Sequence, residues 1–286
     1  MENVRPLVSV VTITYNRGKL IGRCIKSVLS QTYSNIEHIV VDGASNDETD
    51  EVVASFNDER LKYYKLPTNW SLEKTYKYGT SLAKGEYLCF LDSDDEYLPT
   101  KIEKQLQLIQ SLPDEYGMVY CWMTYYDSAN NSVLRVHNPQ LRGFVPLEAA
   151  AKPTVSGTPI YFFRKAVYDE LDGWAWDMPI ITDWEMGARC CQKWKVDYVP
   201  ESLVNVYENH CYTRQTDDIL RKRQFYQKRV DMHAYFLEEF KETFDKRPRS
   251  RSYHYSRMVY YSVKNGNYES AIKLGVKLFK SAVLGI

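Results

Sequence analysis

Short β-branched runs alternate with amphipathic stretches along the first hundred residues. "LVSVVTIT" (7–14) is too brief and too uniformly apolar for a helix and reads as a buried strand. From Lys19 to Leu29 the apolar positions Leu20, Ile21, Cys24, Ile25, Val28 and Leu29 recur at helical spacing. "IEHIVVD" (36–42) predicts a second strand, Asn46–Phe56 a second helix and "LKYYKL" (61–66) a third strand. Leu72, Tyr76, Gly79 and Ala83 mark the next helix face, and "EYLCFLD" (86–92) the strand after it. Pro99 suits the first turn of a further helix with Ile102, Leu106, Ile109 and Leu112 inward. Four strand–helix units in succession predict a parallel sheet with helices on both faces.

The rhythm changes after Gly117. "GMVYCWMTYYD", "SVLRVH" and "PIYFFRK" predict strands with fewer helices between them, so the sheet is expected to be mixed. Beyond Asp217 the pattern turns helical and basic, is interrupted at "DKRPRSRS" (245–252), and closes on a helical hairpin around Asn265-Gly266. The expectation is a domain over 1–217 followed by a basic helical extension over 218–286.

Composition adds little, and charge adds more. With 44% apolar and 26% charged residues the chain is an ordinary globular one. Its formal net charge is zero, yet residues 219–286 carry fifteen Lys and Arg against six Asp and Glu. That surplus suits either phosphates and an anionic surface or simply a solvated helical face. No signal peptide or membrane-spanning run is visible, and no nucleic-acid partner is expected. Six cysteines without CxxC spacing, several inside apolar segments, fit buried thiols in a reducing cytoplasm.

Ligands of open parallel sheets bind beyond the carboxyl ends of the strands. Thr14, Tyr15 and Asn16, then Asp42, then Asp92, Ser93, Asp94 and Asp95 all fall at such ends. Asp42 alone reads equally well as a turn or capping residue. Three carboxylates within four residues repel one another unless a cation or basic partner is near. A hard divalent ion, Mn2+ or Mg2+, bridging to a diphosphate is the economical explanation. An acidic cluster at a helix start before Pro99 is the alternative.

"VSVVTITYNR", "IVVDGASNDET", "AKGEYLCFLDSDDEYLP" and "TDWEMGARC", in that order, resemble the inverting family 2 glycosyltransferases of the GT-A fold. The resemblance covers about residues 7–215. It implies a Rossmann-like, mostly parallel mixed sheet flanked by helices. It also implies a metal-dependent transfer of sugar, with inversion, from a nucleotide diphosphate donor to a saccharide or lipid-linked acceptor. Surface polysaccharide or glycoconjugate biosynthesis is the implied setting and UDP the favoured base. The alternative is a nucleotide-sugar-binding protein of the same fold without catalysis.

The resemblance places Thr14, Tyr15 and Asn16 at the donor, with Asp42 on base or ribose. Asp92-Ser93-Asp94 stands as the DXD motif, with Asp92 toward the ribose or sugar and Asp94 on the metal. Asp183 takes the position of the general base, with Glu185 a neighbouring rival. His210 matches a late histidine that reaches the metal or diphosphate in some members. Gly43 stands where many members have a second aspartate. Lys74 and Lys77 replace an Asp and an Asn, and either meet phosphate or are solvated. Trp174, Trp176 and Trp184 read as an acceptor platform or as core. The expected location is the cytoplasm, with peripheral contact at the inner face of the membrane as the second use of the basic tail. A dinucleotide-binding oxidoreductase is disfavoured because "TYNRGKLIG" lacks GxGxxG.

Overall fold

The computed structural model describes residues 5–174, 182–212 and 225–285. By packing, the chain divides into two compact units. One comprises Met1–Phe144, Ser156–Trp176 and Trp194–Tyr212; the other comprises Val145–Val155, Asp177–Lys193 and Thr213–Ile286. The second unit thus gathers two segments from the first 217 residues with the C-terminal helices. The expected boundary at 217/218 lies outside the described residues.

The first unit is built on a nine-stranded sheet. Strands β1 (Val8–Thr14), β2 (Ile36–Asp42), β3 (Leu61–Lys65) and β4 (Tyr87–Phe90) pair in parallel in the order β3-β2-β1-β4. Strands β2 and β4 are buried throughout and β1 at every position but Ile13, which is why they read as short, mainly apolar runs without a polar face. Helix α1 (Gly18–Leu29) and α2 (Thr49–Ala54) follow β1 and β2, while α3 (Leu72–Ser81) carries the chain back past β1 to β4. Right-handed crossovers put α3 on the face opposite α1 and α2. Gly79 lets it lie close: a Cβ there would sit 2.7 Å from Val11 Cγ1. The reversal of direction between β1 and β4 creates a switch point where their carboxyl ends part.

The remaining strands make the sheet mixed, as expected. Strand β6 (Tyr116–Asp127) runs antiparallel to β8 (Phe162–Arg164), which itself runs antiparallel to β4. Strand β9 (Lys195–Glu208) runs parallel to β6, and β7 (Val133–His137) antiparallel to it. A two-residue strand, β5 (Glu96–Tyr97), pairs antiparallel with β9. This pairing delays α4 (Lys101–Ser111), so Pro99 lies in the turn before the helix and not in its first turn. Helix α2 is shorter than its pattern because Ser45, Asn46 and Asp47 are used in a turn described below. The short α5 (Pro146–Ala151) and α6 (Lys165–Glu170) complete the middle of the chain.

The second unit contains α5, α7 (Thr182–Lys193), α8 (Tyr226–Glu239), α9 (Lys241–Asp245), α10 (Ser252–Asn265) and α11 (Tyr268–Phe279). Gly266 ends α10 in the left-handed conformation at φ 81°, and the Asn267 side chain accepts from Ser270 N–H to start α11. The predicted hairpin is thus capped on both arms. Val230, Met258, Tyr261 and Leu274 form part of its core. The described helices include none long and apolar enough to cross a membrane.

Three histidines are buried as neutral rings. His38 is pushed down to about 3 by burial; its Nε2 lies 2.9 Å from Thr12 Oγ1. His233 and His254 face each other with Nδ1 atoms 3.1 Å apart, and both are lowered by burial. His233 is depressed further by His254, Arg257 and Arg229. The His254 Nε2 lies 3.0 Å from the Ala150 carbonyl, so it carries that ring's proton. A base with a lowered folded pKa binds protons in the unfolded chain first. Stability is therefore complete above about pH 6.5 and falls as pH drops through that value, by up to ~1.4 kcal/mol per pH unit per ring. The urea midpoint is expected to be distinctly lower at pH 5 than at pH 7.5; equal midpoints would contradict neutral burial.

Candidate active site

Two loops at the carboxyl edge of the sheet are stitched together by polar groups. The Thr14 carbonyl accepts from Gly43 N–H at 2.8 Å, extending the β1–β2 ladder by one bond. Asn16 takes a left-handed backbone at φ 51°. Its N–H donates to Ser45 Oγ (2.7 Å) and its side-chain oxygen accepts from Asn46 N–H (2.9 Å). Asp47 accepts from Gly18 N–H at 3.0 Å and from Thr49 N–H at 3.1 Å. These bonds and the burial of three of the polar groups hold the start of α1 against that of α2. They also explain the polar residues of "GASND": Ser45 and Asp47 accept from backbone N–H groups that the turns leave open.

Asp42 is fully buried at the centre of this turn. One carboxylate oxygen accepts from Ser45 N–H (3.0 Å) and Ser45 Oγ (2.6 Å), the other from Tyr63 O–H (2.5 Å). Of the two readings left open, the structure gives it the turn-organising one; direct contact with a nucleotide would require it to exchange a partner. Tyr15, after the end of β1, is 44% exposed. Thr14 is buried, and its hydroxyl has no hydrogen-bond partner among the described residues.

The acidic run after β4 resolves into three different jobs. Asp92, half-buried, accepts from Tyr76 O–H at 3.0 Å. Asp95 is buried and accepts from Tyr207 N–H at 3.2 Å, anchoring the loop to β9. Asp94 Oδ2 lies 3.0 Å from His210 Nε2. Ser93 between them is buried. The mutual repulsion of the carboxylates is thus relieved partly by direction and hydrogen bonding, without invoking a cation for all three. Burial and the neighbouring Asp92 keep the Tyr76 hydroxyl protonated, far above its ordinary range.

The sequence reading missed the clamp behind Asp94. The Arg23 guanidinium, from α1, donates to the Asp94 carbonyl and stacks 3.6 Å above the Tyr207 ring. Tyr207 O–H donates to Glu96 at 2.8 Å, and its pKa is pushed up to about 12 by burial and by that carboxylate. A lone arginine on a helix carries no signal for this. The partners are 71 and 184 positions away and meet only once β9 has paired with β5.

Asp94 and His210 are the donors that fit a divalent ion. Two ligands at right angles about an ion with ~2.1 Å bonds stand roughly 3 Å apart, which is the separation found here. The His210 side chain is 3% exposed, so its ring is held in place. Its Nδ1 accepts from Tyr212 N–H at 3.3 Å, so the ring proton sits on Nε2; an ion bound there would need the other tautomer, with the Tyr212 contact given up. The described residues contain no group of three or more His, Cys, Asp or Glu placed to hold a metal. Such an ion would need its remaining ligands from water or a diphosphate, as Mg2+ and Mn2+ commonly do.

Asp183 lies in the first turn of α7, partly exposed, in the second unit. Its rival is committed elsewhere. Glu185 is fully buried, paired with Arg189 at 2.7 and 2.9 Å and in reach of Tyr235 O–H at 3.4 Å. Trp184 and Trp174 are core residues, each less than 5% exposed, and so do not form an acceptor platform. Trp174 packs on Tyr76 and Phe90, and Trp184 on Phe236 and His254. Trp176 lies outside the described residues. Lys77 pairs with Asp172 at 3.0 Å on the surface and Lys74 sits 4.0 Å over the Trp70 ring.

Comparison with known proteins bears on family and fold. The model of glycosyl transferase family 2 matches residues 9–171. An uncharacterized glycosyltransferase of Rickettsia typhi is 36% identical over 135 residues, 47% of this chain and 42% of the relative. The matched stretch is thus less than half that relative's length. A putative colanic acid biosynthesis glycosyl transferase of Escherichia coli, WcaA, is 25% identical over 93% of this chain and 90% of its own. Among solved structures, S. aureus TarS 1–349 in complex with UDP-GlcNAc superposes with a TM-score of 0.70 at 18% identity, covering 96% of this chain and 81% of that one. The mannosyltransferase PcManGT of Pyrobaculum calidifontis, with GDP-Man and Mn2+, gives 0.60 at 15% identity over 97% and 88%. At these identities the likeness is one of fold.

Proposed function

Because the chain belongs to glycosyl transferase family 2, we propose that it transfers a sugar from a nucleoside diphosphate, UDP favoured, to a hydroxyl of a saccharide or lipid-linked acceptor. The proposed setting is surface polysaccharide or glycoconjugate assembly in the cytoplasm. The observation that carries it is the Asp94–His210 pair, 3.0 Å apart, beyond the β1–β4 switch point. The bound UDP-GlcNAc of TarS and the name of the WcaA relative support donor class and setting.

In this reading Asp94 and His210 hold the divalent ion and diphosphate end of the donor, while Arg23 and Tyr207 hold Asp94. The ion, when bound, neutralises charge that builds on the departing diphosphate. Thr14, Tyr15, Asn16 and Asp92 line the donor side, with Asp42 shaping the turn beneath. Asp183 accepts the proton of the acceptor hydroxyl as its oxygen forms a bond to the anomeric carbon. The bond from that carbon to the diphosphate oxygen breaks and takes its electron pair with it. Direct displacement by one base inverts the anomeric configuration.

Thermal unfolding with UDP, dTDP, GDP and CDP, each with and without Mn2+, tests this. A ligand that binds only the native state at 100 times its Kd adds about 2.7 kcal/mol of stability. One diphosphate is expected to raise Tm only when metal is present, and Asp94→Ala to lose that shift. No shift with any nucleotide would defeat the donor reading, and an equal shift without metal would remove the ion from it. Stabilisation without turnover on any sugar acceptor would favour the inactive nucleotide-sugar-binding alternative.

A further inference from the structure

Large apolar side chains stand exposed along one line of α11. Tyr268, Ile272, Val276 and Phe279, continued by Val283 in the turn that follows, are 52–69% exposed. At 100° per residue their steps of four, four, three and four keep all five within an arc of about 80° and a length of ~22 Å. Of the buried residues of this segment, Leu274 and Ser281 fall on the opposite side and Ala271 between it and the stripe. The stripe therefore points away from the unit to which the helix is packed.

Its flank is basic. Lys273, Lys277 and Lys280 are exposed to one side of the stripe, about 80–140° round the helix from its centre line. Glu269 is the acidic residue of the helix and is taken by Lys273 at 2.6 Å. Lys277 and Lys280 have no ion-pair partner among the described residues. The neighbouring arm, α10, adds exposed Tyr260 and Val263 with Arg257 and Lys264 around the Tyr260 ring. Capping at Gly266 and Asn267, together with the Leu274 contact to the Met258–Tyr261 core, preforms the hairpin. Little ordering entropy then remains to be lost on docking.

We propose that this face docks α11 in the plane of an anionic lipid surface, apolar stripe among the acyl chains and lysines at the headgroups. An exposed apolar stripe beside unpaired lysines, on a helix too short and polar to span a bilayer, is the pattern of an interfacial helix. A second copy of the chain fits less well. A footprint of ~22 by ~10 Å offers about 220 Å2 against the ~800 Å2 per partner of a stable interface. Self-pairing would also bring lysine rows of like charge together. The proposal is independent of the sugar-transfer reading, because it concerns neither Asp94 nor Asp183.

Flotation of the full chain with vesicles of phosphatidylcholine alone, or mixed with phosphatidylglycerol, is the test. Binding is expected on the mixed vesicles and to weaken at high salt. Lys277→Gln with Lys280→Gln is expected to weaken it about fivefold for each lysine, and Val276→Ser with Phe279→Ser to abolish it. All four positions are exposed, so thermal unfolding of both variants should match the parent and separate loss of docking from loss of fold. Equal binding by parent and Ser variant, or none to anionic vesicles, would overturn the proposal. So would a dimer in solution that the Ser variant dissolves, since the stripe would then belong to a second copy.

Discussion

Asp183→Asn is expected to lower kcat by roughly 10²–10⁴ while leaving metal-dependent stabilisation by the donor nucleotide intact. The amide keeps the size of the carboxylate but cannot take a proton at neutral pH. Asp183 is partly exposed in the first turn of α7. Glu185 cannot substitute, because its carboxylate is buried against Arg189 and losing that pairing would strand a charge. Release of nucleoside diphosphate from the donor, measured beside nucleotide-induced Tm shifts, separates the two effects. A loss below tenfold, or a parallel loss of nucleotide stabilisation, would remove Asp183 from the role of base.

Trp184→Ala is expected to cost ~3–5 kcal/mol of stability. The indole is completely buried, lies 4.1 Å from the Phe236 ring and 5.5 Å from His254, and donates to the Ala149 carbonyl at 2.7 Å. It joins α5, α7, α8 and α10, so the cavity would open at the meeting of four helices and leave a buried carbonyl unpaired. For a unit of about 100 residues the Tm should fall by more than ~12 °C. Trp184→Phe, which restores most of the volume but not the hydrogen bond, should recover more than half of the loss. A fall of less than about 2 °C in the Ala variant would mean that the helices close over the gap.

Much of the fold was legible in the sequence, and so was the clustering of candidate site residues at strand ends. The buried parallel strands announced themselves as short β-branched runs, because a strand covered on both faces has no polar side to show. The hairpin at Asn265-Gly266 was legible because a left-handed cap demands glycine. The positions of Thr14, Asp42 and Asp92–Asp95 at strand ends followed from strand length alone.

What those residues do was decided by partners far along the chain. Asp94 meets His210 across 116 positions, and Asp95 meets Tyr207 across 112, only because β9 lies beside β5 and β6. Asp42 proved to be satisfied inside its own turn and by Tyr63, and two of the three tryptophans went into core, since burial is a property of packing and not of residue type. The short pairing of Glu96 and Tyr97, which pushed Pro99 out of the following helix, likewise has no local signal. Period and backbone sterics act over a few residues and can be read from sequence. Which carboxylate meets which cation, tyrosine or imidazole depends on the order in which strands pair, and that the tertiary structure alone settled.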